Sequence, residues 1–260
     1  MTNSFLYGGH SDLGYKRDNN EDYLTAVELD DETLLCLIAD GSGSQPSTLQ
    51  PAQIIAAEVT ESLKRSFADN KKVFLDNCET FLREALLSAN RTIGAFRIAN
   101  EEIYSGFASS VSCCVLGPER LLAFAHSGNT RIYRIRVTQG GDAAIMQLTK
   151  DHTKGQLRVD KGELTQDEYY FSPDRLVIYS ALGLIENPAI QTFQGRIRDR
   201  DFIVLTTDGI HYCVNANAIM NLVLASSTCE DAAQALTKAA FAQKYNDNGT
   251  ALVIFKQPSN

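Results

Sequence analysis

The chain has 260 residues, with 24 Lys plus Arg against 32 Asp plus Glu, a formal charge of −8 at pH 7, and 44% apolar and 22% charged residues. With 6 Pro and 17 Gly, this composition excludes the disordered, collagenous and low-complexity classes and leaves enough apolar mass for a domain-sized core. The acidic balance argues against a nucleic-acid partner, which would demand a basic face to displace condensed counterions.

No window approaches the roughly 18–20 apolar residues of a membrane span. The start, Met1-Thr2-Asn3-Ser4-Phe5-Leu6, has neither the basic stretch nor the apolar run of a signal peptide. A cytoplasmic protein without a membrane partner is expected. Cys36, Cys78, Cys113, Cys114, Cys213 and Cys229 form no Cys-x-x-Cys pair. They are expected to be small buried hydrophobes, not a zinc site or a disulfide frame.

In chain order, an extended stretch leads into Asn20-Glu21-Asp22, and an apolar run from Thr33 to Ala39 stops at Asp40-Gly41, as a buried strand would. Gly41, Ser42, Gly43, Ser44, Pro46 and Ser47 predict a loop. Ile55, Val59, Leu63 and Phe67 fall four apart, and Phe74, Cys78, Phe81, Ala85, Ala89, Ile93 and Phe96 follow at spacings of three and four. These are two amphipathic helices, the second the longer. From Ser109 to Leu148 the period changes to short β-rich runs broken by Gly117-Pro118, Gly128-Asn129 and Gly140-Gly141, which predict hairpins of antiparallel sheet. Asp151 to Asp174 is charged and only weakly periodic, a partly helical surface excursion. Phe202–Thr207 is a strand ending at Asp208-Gly209; a helical pair runs to Lys244 and Gly249–Phe255 closes the chain as a strand. The order predicts an α+β sandwich of antiparallel sheets in one domain, 1–260, with no repeat and no internal boundary.

Four acidic features sit where an apolar run begins or ends: Glu21-Asp22, Asp40-Gly41, Asp208-Gly209 and Asp247-Asn248. One Asp-Gly is most often a plain turn. Carboxylates delivered from several strand ends, with no His or Cys among them, form a hard oxygen donor set suited to Mg²⁺ or Mn²⁺. The ordered set resembles the metal-dependent Ser/Thr protein phosphatases of the PPM (type 2C) family. The resemblance runs through Gly14-Tyr15-Lys16-Arg17, Asn20-Glu21-Asp22, Ala39-Asp40-Gly41-Ser42-Gly43 and Ser127-Gly128-Asn129-Thr130-Arg131-Ile132-Tyr133. It continues through Leu148-Thr149-Lys150-Asp151-His152-Thr153, Tyr179-Ser180-Ala181-Leu182-Gly183, Leu205-Thr206-Thr207-Asp208-Gly209 and Asp247-Asn248-Gly249-Thr250.

The resemblance implies a four-layer α-β-β-α sandwich, two antiparallel sheets flanked by helix pairs, with a two-metal Mn²⁺ or Mg²⁺ centre at one end. Asp40 resembles the catalytic carboxylate that bridges both metals, and the Gly41 carbonyl resembles a ligand of one. Asp208 and Asp247 resemble ligands of the other, and Glu21 and Asp22 would bind directly or through water. Arg17 resembles the phosphate-binding arginine. The implied reaction is hydrolysis of phosphoserine or phosphothreonine by a water bridging two metals roughly 4 Å apart. The implied substrate is a phosphorylated protein, a Ser/Thr kinase or its target, and the implied oligomeric state is a monomer.

Three departures accompany this resemblance. Asn129 stands where an aspartate usually helps hold a third metal, so a third site built on Asn129 and Asp208 is expected to be weak or empty. Ser42 stands where some eukaryotic relatives have a histidine proposed as general acid. His211-Tyr212 replaces a Trp-Asp or similar pair. His152 reads as structural, while His126 remains open between structure and catalysis. The segment 154–174 aligns with a variable flap, either a solvated loop or a substrate-docking lid. The rivals are a phosphoprotein-binding pseudo-phosphatase and a two-metal nuclease, the latter disfavoured by the charge.

Overall fold

The structure, a computed structural model, describes residues 4–43, 50–99, 106–138, 140–243 and 247–258. The expected loop positions Ser44, Pro46 and Ser47, and the helix end at Lys244, lie outside the described residues.

Two five-stranded antiparallel sheets stack face to face. One has the order β1 (Phe5–Asp12), β10 (Gly249–Lys256), β9 (Phe202–Thr206), β6 (Arg131–Val137), β7 (Ala143–Gln147). The other has the order β2 (Asp22–Asp30), β3 (Thr33–Ser42), β4 (Ala108–Leu116), β5 (Leu121–Ser127), β8 (Gln191–Arg196). Helices α1 (Pro51–Asp69), α2 (Lys71–Asp76) and α3 (Cys78–Ala99) cover the second sheet. The first is covered by α6 (Asp208–His211), α7 (Ala216–Ala225) and α8 (Cys229–Ala242), while α4 (Lys154–Asp160) and α5 (Gln166–Phe171) belong to the flap. This is the expected α-β-β-α sandwich.

The apolar run of β3 is continuous because both of its faces are covered. Leu35, Leu37 and Ala39 pack with Ile55, Val59, Leu63, Leu82 and Leu86 of the helices, while Leu34, Cys36 and Ile38 meet Leu205, Leu252 and Ile254 of the other sheet. Alternation along a strand sends successive side chains to opposite faces, so one run serves two cores.

Three features differ from the expected elements. The long second helix is divided at Asn77, whose Nδ2 donates to the Val73 carbonyl at 2.9 Å and competes with the helical ladder. The β4–β5 and β6–β7 connections are hairpins, but Gly128-Asn129 carries the chain from one sheet to the other. Gly128 has φ +107°, and a Cβ there would overlap the Ser110 side chain. Edge strand β8 has no counterpart among the expected elements, since Phe193 and Gly195 interrupt an otherwise polar or charged run. Four of the cysteines are buried, two are partly buried and all six are free. Among the described residues no helix is long and apolar enough to cross a membrane.

Leu86 of α3 is fully buried in the core between the helices and the second sheet. Leu86→Ala is expected to lower the unfolding free energy by about 2–5 kcal/mol, read as a shifted denaturation midpoint with unchanged slope.

Candidate active site

The site is assembled where the two sheets open at one end. Asp22 and Asp40 are direct cross-strand partners in the β2–β3 ladder, and the Gly41 amide donates to the Glu21 carbonyl at 3.1 Å. From the other sheet, Asp208 follows β9 as the first residue of α6, and Asp247 precedes β10, which pairs with β9. Gly209 lets the two turns touch, since a Cβ there would overlap the Asn248 carbonyl.

Two asparagines join the sheets. The Asn248 side chain accepts from the Glu21 amide at 2.9 Å and donates to the Leu13 and Asn19 carbonyls at 2.8 and 3.1 Å. Asn20 Oδ1 accepts from the Asp22 amide at 3.1 Å, and its Nδ2 donates to Ser11 at 2.8 Å. The sequence assigns neither a role, because the backbone partners of Asn248 and the Ser11 hydroxyl that meets Asn20 are brought near only by the fold.

Five carboxylates therefore share one electrostatic neighbourhood. Desolvation pushes Asp22 up to about 7, against two hydroxyls, Thr207 at 2.8 Å and Thr250 at 2.7 Å, that donate to its Oδ2. Asp40 is raised well above the usual carboxylate range by desolvation and then by Asp208, Asp22, Asp247 and Glu21. Desolvation and the Asp247 charge raise Asp208 to about 6. The Arg17 guanidinium lies 2.8 Å from Asp247, placing the expected phosphate-binding arginine at the rim of the same cluster.

Hard oxygen donors with uncompensated mutual repulsion suit a divalent cation. As the side chains stand, however, no three His, Cys, Asp or Glu among the described residues close on one point as ligands of a single ion. Closure needs side-chain rotation, and full use of Asp247 needs the Arg17 ion pair to yield. The donor chemistry fits a cation and the backbone frame is in place. A groove of about 650 Å³ lined by Leu75, Pro118, Leu121 and Arg196 lies at the far end of the sandwich and includes none of these carboxylates.

Asn129 is oriented away from a ligand role. Ser110 donates to its Oδ1 at 2.8 Å, while Nδ2 donates to Asp208 Oδ2 at 3.0 Å. The amide thus turns a donor toward the carboxylate it would share a metal with. The Ser42 hydroxyl donates to the Gly106 carbonyl at 3.2 Å. His126, fully buried, accepts from Ser112 at Nδ1 (2.9 Å) and donates from Nε2 to the Lys150 carbonyl (3.2 Å). Burial lowers its pKa to about 3, and both nitrogens are engaged, so the open reading resolves to structure. His152 accepts from the Gly128 amide at 3.2 Å and is lowered to about 4 by burial. His211 Nδ1 lies 2.9 Å from the Thr206 hydroxyl.

The flap over 154–174 is partly helical, as its composition indicates, and it is anchored. Asp151 is buried in a bidentate pair with Arg131 (2.6 Å between Nη2 and Oδ2) and accepts from the Tyr169 hydroxyl of α5 at 2.6 Å. Gly155 leaves room for the Tyr169 ring.

The protein phosphatase 2C family model matches residues 14–246. Curated relatives include the serine/threonine phosphatase stp of Listeria monocytogenes, 20% identical over 94% of this chain and 93% of that protein. Another is the protein phosphatase PhpP of Streptococcus pneumoniae, 22% identical over 94% of each. Among solved structures, the serine/threonine phosphatase Stp1 of Staphylococcus aureus superposes with TM-score 0.82 at 25% identity, covering 97% of this chain and 96% of that one. The catalytic domain of the phosphatase PstP, in complex with two manganese ions, superposes with TM-score 0.76 at 24% identity over 98% and 99%. With the family model spanning most of its length, this chain belongs to the protein phosphatase 2C family of metal-dependent Ser/Thr phosphatases.

Proposed function

We propose that the chain, as one domain over 1–260, hydrolyses phosphoserine and phosphothreonine in proteins at a two-ion Mn²⁺ or Mg²⁺ centre. The observation that carries this reading is the convergence of Glu21, Asp22, Asp40, Asp208 and Asp247 from both sheets on one solvent-facing end. The manganese in the PstP structure supports the choice of ion.

Cations bound there supply Lewis acidity, lowering the pKa of a water and offsetting charge on the phosphoryl oxygens. Asp40, which faces carboxylates of both sheets, is the residue placed to serve both ions, with the Gly41 carbonyl as a neutral oxygen donor beside it. Asp208 and Asp247 would hold the ion on their side, and Glu21 would hold the other. Asp22, saturated at one oxygen by Thr207 and Thr250, orients the cluster and acts through water. Arg17 offers a planar two-donor fork to phosphoryl oxygens. Ser42 and the histidines supply no proton to the leaving group, which leaves water as the donor. With its amide donor on Asp208, Asn129 offers a third cation no oxygen.

The partner is a phosphorylated protein, a Ser/Thr kinase or its target, met by a monomer in the cytoplasm. Six unpaired cysteines support a reducing compartment.

Turnover of a phosphothreonine peptide is expected to need Mn²⁺ or Mg²⁺ and to vanish with EDTA. Asp40→Ala and Asp208→Ala are expected to lower kcat/KM by roughly 10³-fold or more, the scale of several kcal/mol of lost charge stabilisation. Metal-independent turnover would overturn the mechanism, and saturable phosphopeptide binding without turnover would identify a pseudo-phosphatase. Calorimetry is expected to count two comparably tight Mn²⁺ sites, and three would contradict the role given to Asn129.

The pH dependence of stability follows from the raised carboxylates. In the metal-free protein Asp22 and Asp208 keep protons that the unfolded chain has lost, so their contribution to stability falls as pH rises from about 4 through 7. Bound cations reverse this loss. Mn²⁺ at about 100 Kd is expected to raise Tm by roughly 5–10 °C at pH 7.5, and by clearly less at pH 5, where protons compete. Equal shifts at both pH values would count against these carboxylates as the ligands.

A further inference from the structure

Tyr212 lies four residues beyond Asp208, in the pair whose departure from the family pattern had no explanation in the sequence. It is 5% exposed, and its ring sits between two guanidinium groups, with Arg175 4.5 Å and Arg131 5.8 Å from the centroid. The hydroxyl donates to the Arg175 carbonyl at 2.7 Å and accepts from Asn129 Nδ2 at 3.4 Å. That nitrogen has two protons, and the second goes to Asp208 Oδ2. The Tyr212 carbonyl accepts from the Tyr170 hydroxyl at 3.2 Å, and Arg175 Nη1 donates to the Tyr170 carbonyl. Tyr170 and Arg175 both belong to the flap and its following turn, so the flap grips Tyr212 at both ends, and Tyr212 reaches the carboxylate through one amide.

The chemistry of position 129 is specific to this link. Ser110 occupies the amide oxygen, so both N–H groups are free for the two acceptors. A carboxylate there would donate to neither and would repel Asp208. We propose that Tyr212 is a positioning residue that couples the docking of the flap to the orientation of Asp208 through Asn129. The flap's other anchor, Tyr169 on Asp151, shares no hydrogen bond with Asn129 or Asp208. This inference rests on the reading of Asp208 as a metal ligand.

Three variants separate the coupling from simple loosening. Tyr212→Phe removes only the hydroxyl, Asn129→Ala removes the bridge without touching the flap, and Tyr169→Phe loosens the flap on the side away from Asp208. The readouts are trypsin cleavage within the flap, which follows the population of opened flap, and Mn²⁺ affinity by calorimetry on the full chain. Asn129→Ala is expected to speed cleavage about fivefold, the scale of one lost hydrogen bond of about 1 kcal/mol, and Tyr212→Phe, which also loses the bond to the Arg175 carbonyl, by more. The double variant is expected to be no faster than Tyr212→Phe alone. Tyr212→Phe is expected to weaken Mn²⁺ binding about fivefold, whereas Tyr169→Phe speeds cleavage and leaves Mn²⁺ affinity unchanged. Wild-type cleavage in Asn129→Ala, additive effects in the double variant, or unchanged Mn²⁺ affinity in Tyr212→Phe would each overturn the coupling while leaving the phosphatase reading intact. No Mn²⁺ binding by the wild-type protein would take down both.

Discussion

Like charges crowded into one end of a sandwich repel, and most of the local architecture around the open end can be read as holding that repulsion in place. Asp22 and Asp40 are opposed by strand register, so their backbones cannot separate without breaking the β2–β3 ladder. Thr207 and Thr250 donate to Asp22, Asn129 donates to Asp208, and Arg17 pairs with Asp247. Each donor meets part of the desolvation cost that a buried carboxylate otherwise carries. Protons retained on Asp22 and Asp208, or a cation in their place, relieve the rest, which makes metal binding a property of the fold and not of any one ligand.

The charges can be held there because the frame beneath them is stiff. Three apolar layers, one between the sheets and one under each helical cover, lock both sheets. Asn248 then pins the turn before β10 to the turn before β2. Around the site, neutral buried histidines and the Arg131–Asp151 pair complete the polar groups that the sheet crossing at Gly128 leaves inside. A buried ion pair of this kind is weak evidence for net stability. Its geometry, with Tyr133, Gln147 and Tyr169 satisfying the remaining positions, suits a role in specifying where the flap sits.

Legibility tracked sequence distance. Asp40 could be read because an apolar strand ends on it, and Asp208 for the same reason, each signal contained within about ten residues. The helices of α1 and α3 were legible from their four-residue spacing. The break at Asn77 was not, because it depends on a side chain turning back on its own ladder. β8 lacked any alternation, since it is an edge strand with little to bury. Tyr212 was visible only as an anomaly, because its partners Arg175 and Asn129 lie 37 and 83 residues away.

The sequence by itself determined which residues are chemically able to do the work: hard carboxylates at strand ends, an arginine fork nearby, and apolar periods that force a layered α+β sandwich. Period and composition are local properties of the chain, so they can be read without coordinates. The tertiary structure alone decided how those groups are disposed toward one another. It turned Asn129's donor and not its oxygen to Asp208, engaged both nitrogens of His126 in hydrogen bonds, and tied the flap to the site through Tyr212. Each of these depends on which atom of a side chain faces which distant partner, and that is set by packing after the sheets have stacked.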